Sequence, residues 1–118
     1  ARMIVFHGVA DPVFSATDLT TYWEDLARAN GGHDRLGTFA RLFLIPGMTH
    51  CGGGPAMENF DPLAALEAWV ERGEAPARIE ARGPAFPGRT RPLCPYPLES
   101  RYTGGNPNAA TSFECHMQ

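Results

Sequence analysis

Two short segments of this sequence hold side chains that can move protons. "HGVADPVFS", residues 7–15, contains His7 and Asp11, and "PGMTHCGGG", residues 46–54, sets His50 beside Cys51. An imidazole can take and return a proton near neutral pH if a second group holds its other ring nitrogen and stabilises the cation that forms. Asp11 and His50 are the two residue types this requires, the carboxylate earlier in the chain and the histidine later. A nucleophile to complete the set is not evident. The sequence has no G-x-S-x-G, and its serines are Ser15, Ser100 and Ser112.

Other chemistries fit these residues less well. His50 and Cys51 could ligate zinc together with His7 or His116, but adjacent ligands without a CxxC partner are a poor zinc pattern. "CGGGP" lacks the Lys-Ser/Thr of a phosphate loop. All the basic residues are arginines, and the formal charge is −3, which gives no reason to expect nucleic acid or anionic lipid as partner. The arginines between Arg78 and Arg101 are spaced out and interrupted by Glu80 and Glu99, not massed on one face with aromatics to stack on. His7, at a strand end, reads as a hydrogen-bonded structural residue, and His33, after a Gly-Gly stop, as a solvated one.

What must position Asp11 and His50 follows from the apolar pattern. With 43% hydrophobic and 19% charged residues, the 118-residue chain is that of a folded protein with one modest core. No apolar stretch reaches the roughly 18 residues of a membrane span. Strands are expected near residues 3–7 and 39–45, each a β-branched and aromatic run closed by turn residues. Ser15 or Thr17 caps a helix reaching about Asn30, with Leu19, Tyr22, Trp23 and Leu26 on one face. Asp61-Pro62 opens a second helix to about residue 72, lined by Leu63, Leu66, Trp69 and Val70 and ended by Gly73. Trp23 and Trp69 are core by this pattern. Strand–helix–strand–helix with long connections implies parallel pairing and a right-handed crossover. Functional residues in such α/β sheets gather on loops leaving the C-terminal ends of the strands, where Asp11 and His50 both fall.

From about Ala75 the character changes. Six of the eleven prolines lie between Pro84 and Pro107, and periodicity is lost, so "RTRPLCPYPLESRY" reads as an irregular strap laid over a surface. Cys94 and Cys115 bracket a stretch with little core of its own, and a disulfide between them is its expected source of order. Such a bond implies an oxidising compartment, secreted or periplasmic. Cys51 is then left with a partner elsewhere. The chain opens within its first strand, and two parallel strands with open edges ask for neighbours, so it reads as part of a longer protein.

The wording of these segments carries more. "HGVADPVFS", "RLFLIPGMTHCGGGP", "FDPLAALEAWVERGEAP", "RTRPLCPYPLESRY" and the final "FEC", in that order, resemble the tannase and feruloyl esterase family over nearly the whole chain. The resemblance implies a serine carboxylic-ester hydrolase for phenolic-acid esters of feruloyl or galloyl type. Asp11 matches the triad aspartate and His50 the triad histidine, in the chain order Ser…Asp…His of α/β-hydrolases. Cys51 matches the cysteine whose disulfide partner precedes the nucleophilic serine, and Cys94 and Cys115 match a further family disulfide. The serine, the oxyanion donors and a lid domain with its calcium site would all lie upstream, so no cofactor is expected in this chain.

The expectation is therefore the C-terminal β-α-β-α portion of an α/β-hydrolase fold, residues 1–75, followed by an irregular, Pro-rich, disulfide-clasped tail, residues 76–118, packed on the same domain. This chain would supply Asp and His, would be inactive alone, and would act on a small phenolic ester only with the rest of the hydrolase domain. The alternative is a non-catalytic binding or structural module that keeps the fold elements.

Overall fold

The computed structural model describes residues 1–118. Strand β1 (Met3–Gly8) leads through helix α1 (Ala16–Ala29) and a short helix α2 (His33–Leu36) to strand β2 (Ala40–Ile45). Helix α3 (Pro62–Arg72) follows, and then strands β3 (Ile79–Ala81), β4 (Arg91–Leu93) and β5 (Glu99–Tyr102), a 3₁₀ turn (Ala110–Ser112) and β6 (Phe113–His116). β1 and β2 pair in parallel, from Met3 opposite Ala40 to Gly8 opposite Ile45, as expected.

The helix ends are chemically plain. Ser15 Oγ accepts from the Asp18 amide at 3.3 Å and caps α1. Asp61 accepts from the Ala64 amide at 2.9 Å, Pro62 fills the first turn of α3, and Gly73 closes it at φ 69°, a left-handed conformation that suits glycine.

β2 is the wall between two apolar clusters. Ala40 and Leu42 pack with Trp23, Ala27 and Leu36 on the α1 side, while Phe43 and Ile45 pack with Met48, Met57, Ile79, Ala81 and Leu93 on the other. A strand covered on both faces is what a parallel sheet demands. Trp23 and Trp69 are both buried.

The α3 face differs from expectation. Trp69 is buried, but Leu63 and Val70 stay exposed. At about 100° per residue, those two lie on a stripe roughly 100° round the helix from Trp69, so a helix that docks through Trp69 turns them outward.

The tail is not irregular. β3 and β4 pair antiparallel, with Ile79 opposite Leu93, and β5 and β6 pair antiparallel, with Ser100 opposite Cys115. At three or four residues each, these strands are too short for an alternating pattern to show. β4 even contains Pro92, which a two-stranded sheet tolerates because both its strands are edges. Pro95 bridges to Phe43, and the Tyr96 amide donates to the Leu42 carbonyl at 2.7 Å, which lays the tail along the outer edge of β2. Tail arginines act as backbone clamps: Arg78 donates to the carbonyls of Phe113 and Ala110, each at 2.8 Å.

Cys94 and Cys115 form the expected disulfide, with Cα atoms 5.6 Å apart across 21 residues, and Cys51 is free and exposed. A thiol titration of the denatured, unreduced chain should therefore find one sulfhydryl. Replacing Cys94 and Cys115 with serine should lower unfolding stability by about 3 kcal/mol, read from the denaturant midpoint.

Candidate active site

Parallel pairing brings the ends of β1 and β2 to the same side of the sheet, and the two loops that leave there touch at once. The Val9 amide donates to the Ile45 carbonyl and the Ala10 amide to the Met48 carbonyl, both at 3.0 Å. Contact is closest at Gly8, where a Cβ would sit 2.3 Å from the Met48 oxygen and 2.5 Å from that of Thr49. Only glycine lets the backbones approach this far. The second loop is folded back on itself: Gly54, at φ 80°, lies so near Gly47 that a Cβ would fall 2.3 Å from the Gly47 oxygen. The Thr49 amide donates to the Gly53 carbonyl at 3.3 Å, and the Thr49 hydroxyl donates to the Gly52 carbonyl. Cys51 takes a left-handed φ of 59°, rare for a side-chain-bearing residue. The turn is anchored below by buried Met48 and presents His50 at its outer end.

Asp11 and His50 meet there. His50 Nδ1 lies 2.9 Å from Asp11 Oδ2. The carboxylate is almost wholly enclosed, its side chain 2% exposed against 43% for His50. Its other oxygen, Oδ1, accepts from the amides of Val13 at 2.7 Å and Phe14 at 3.1 Å. Burial raises the Asp11 pKa, but the His50 hydrogen bond, the two amides and the pull of His50 charge outweigh it and lower the pKa from 3.8 to about 2. An ionised carboxylate only accepts, so Nδ1 of His50 must carry the hydrogen, and in the neutral ring Nε2 keeps a free lone pair. Such a pair can act as a base, with Nδ1 held by the carboxylate and Nε2 left without a hydrogen-bond partner.

The surrounding residues divide clearly. His7 is hydrogen-bonded as expected, with Nε2 3.0 Å from the Phe14 carbonyl and 3.6 Å from Asp11 Oδ2. Phe14 is 61% exposed, and its ring centre lies 5.5 Å from that of His50. His33 is not simply solvated: its Nε2 is 3.0 Å from Glu24 Oε2, and Tyr96 donates to the other oxygen of that carboxylate at 2.8 Å. The zinc alternative finds no support in the geometry, since no three His, Cys, Asp or Glu side chains are arranged to hold a metal ion. His116 instead pairs with Glu114 on β6. His50 makes one hydrogen bond, to Asp11, and none to a serine; Ser15 is occupied as a helix cap. Pattern reading missed the amides of Val13 and Phe14. Their signal was the Asp-Pro turn, in which the carboxylate accepts from backbone two and three residues on. No helix is long and apolar enough to cross a membrane.

Solved structures place this architecture among esterases. An esterase from Aspergillus oryzae superposes with a TM-score of 0.82 at 29% identity, over 98% of this chain and 27% of its own. Feruloyl esterase B from Aspergillus oryzae gives 0.80 at 26% identity, over 98% and 27%. In sequence, residues 1–116 match the family model described as tannase and feruloyl esterase, and the chain belongs to that family. It is 51% identical to the mono(2-hydroxyethyl) terephthalate hydrolase of Piscinibacter sakaiensis, over 97% of this chain and 19% of that protein. A probable feruloyl esterase of Arthroderma benhamiae is 39% identical over 97% and 22%. The chain thus spans about a fifth of the length of these two relatives.

Two outcomes follow from the geometry. The folded pKa of Asp11 lies below its ordinary value, so the stability it confers is fully present above about pH 4 and is lost as pH falls towards 2. A carbon-detected NMR titration should place the Asp11 carboxyl midpoint near 2, and Asp11→Asn should remove this part of the acid sensitivity. Gly8→Ala should cost about 1–3 kcal/mol in thermal or denaturant unfolding, because the new methyl meets two carbonyl oxygens that belong to backbone.

Proposed function

We propose that this chain supplies the base and its orienting carboxylate to a serine carboxylic-ester hydrolase of α/β-hydrolase fold. The observation that carries the reading is the His50 Nδ1 to Asp11 Oδ2 bond of 2.9 Å at the C-terminal ends of two parallel strands. His50 Nε2 takes the proton of a serine hydroxyl as the oxygen attacks the ester carbonyl, and Asp11 stabilises the imidazolium that results. The same nitrogen returns the proton to the departing alcohol. A water, deprotonated by His50, then hydrolyses the acyl-enzyme, and the serine recovers its proton.

The serine comes from a segment outside these 118 residues, since Ser15, Ser100 and Ser112 are not hydrogen-bonded to His50. Cys51, exposed and next to His50, is suited to a disulfide with a cysteine beside that serine, which would tie the nucleophile loop to the base loop. The substrate class is an ester of an aromatic acid, feruloyl or galloyl in type. Support comes from family membership, from relatives named for feruloyl and terephthalate esters, and from the exposed Phe14 ring beside His50. The Cys94–Cys115 bond suits a secreted or periplasmic protein.

In the complete protein, Asp11→Asn should keep the fold by circular dichroism and lower kcat on methyl ferulate by about 10⁴, because the histidine is then held in the wrong tautomer. The isolated 118-residue chain should show no turnover. Full activity in Asp11→Asn, or hydrolysis by the isolated chain that survives replacement of all three serines, would overturn the reading.

A further inference from the structure

The loop that carries Asp11 has a weakness. Val9, Val13 and Phe14 are 48%, 61% and 61% exposed, so no buried apolar side chain among them anchors the turn. The Val9 and Ala10 amides tie the start of the loop to Ile45 and Met48, and Asp11 meets His50, but the bonds from the Val13 and Phe14 amides to the Asp11 carboxylate are internal to the turn. One side chain ties the far end of the turn back to β1. His7 stands on β1, two residues beyond Val5, which packs on the Trp23 cluster, and its ring reaches the Phe14 carbonyl at 3.0 Å.

We infer that His7 is a positioning residue for the Asp11–His50 pair, holding the Asp11 turn to β1 through an Nε2–H bond to the Phe14 carbonyl. The inference rests on the reading of that pair given above. A carbonyl oxygen only accepts, so Nε2 of His7 must carry a hydrogen whatever the state of Nδ1. The Phe14 residue is then gripped from both sides: its carbonyl accepts from His7, and its amide donates to Asp11 Oδ1. The same N–H stands 3.6 Å from Asp11 Oδ2, too far for a hydrogen bond but close enough for its positive end to favour the carboxylate. The result is one continuous chain from rigid strand to base: His7, Phe14, Asp11, His50. If His7 only filled space, an aromatic ring of similar size would serve; a donor is what the geometry uses.

The test uses the complete protein, with methyl ferulate as substrate. His7→Phe keeps a ring and removes the donor; it should lower kcat about ten- to a hundredfold through misplacement of the pair, with KM within about twofold. His7→Gln keeps an N–H and should recover most of the loss. Long-range ¹H–¹⁵N spectra of the parent should show the His7 hydrogen on Nε2. His7→Phe at parental kcat, His7→Gln no better than a folded His7→Phe, or a neutral His7 with its hydrogen on Nδ1 would each overturn the assignment. The spectrum decides even if His7→Phe does not fold. Asp11→Asn separates the two readings. If it keeps parental turnover, the reading of the pair falls and His7 falls with it; if it loses turnover while His7→Phe keeps it, only the His7 assignment falls.

Discussion

Parallel pairing is the constraint from which the rest of this structure follows. Two strands that run the same way must end on the same side, so the loops after Gly8 and Ile45 emerge together and compete for one space. Gly8 resolves the competition by giving up a side chain, and the Met48 and Thr49 carbonyls move in against it. Asp11 and His50 then need only short turns to meet, although they are 39 residues apart in sequence. The crossover between the strands, α1 and α2, supplies the cluster that keeps β2 in register.

Within that frame the electrostatics are decided by one buried oxygen pair. A carboxylate removed from water is costly unless its lone pairs are used, and Asp11 uses them: two amides on one oxygen, an imidazole on the other. Because its charge persists far below neutral pH, the carboxylate keeps accepting from His50 Nδ1, and that hydrogen is held in place. This is pre-organisation by local backbone, since a turn of four residues supplies the donors that a separate cationic or hydrogen-bonding side chain would otherwise have to provide.

Much of this was legible in the sequence, for reasons that differ by residue. Ser15, Asp61, Pro62 and Gly73 mark helix ends through local chemistry, which tertiary packing rarely overrides. Asp11 and His50 were legible only as a pair, because each falls in a loop at the C-terminal end of one of two parallel strands; alone, an Asp-Pro turn or a loop histidine says little. The direction of α3 was not: Leu63 and Val70 look like core by period, and the docking of Trp69 is a tertiary choice. The tail strands were not legible either, because three or four residues are too few for alternation to show in a segment punctuated by prolines. Val13 and Phe14 act at the Asp11 carboxylate through backbone N–H, so their own residue types gave no sign of it and only the Asp-Pro turn before them did.

The tail has a further effect on β2. With Pro95 bridged to Phe43 and the Tyr96 amide given to Leu42, that edge of the sheet meets a segment whose next residue, Pro97, again has no N–H to offer. A strand arriving from outside finds no continuous ladder there to copy. The two flanks of this sheet are consequently unequal: the β2 flank is blocked, and the free edge of β1 is the one a further strand could extend.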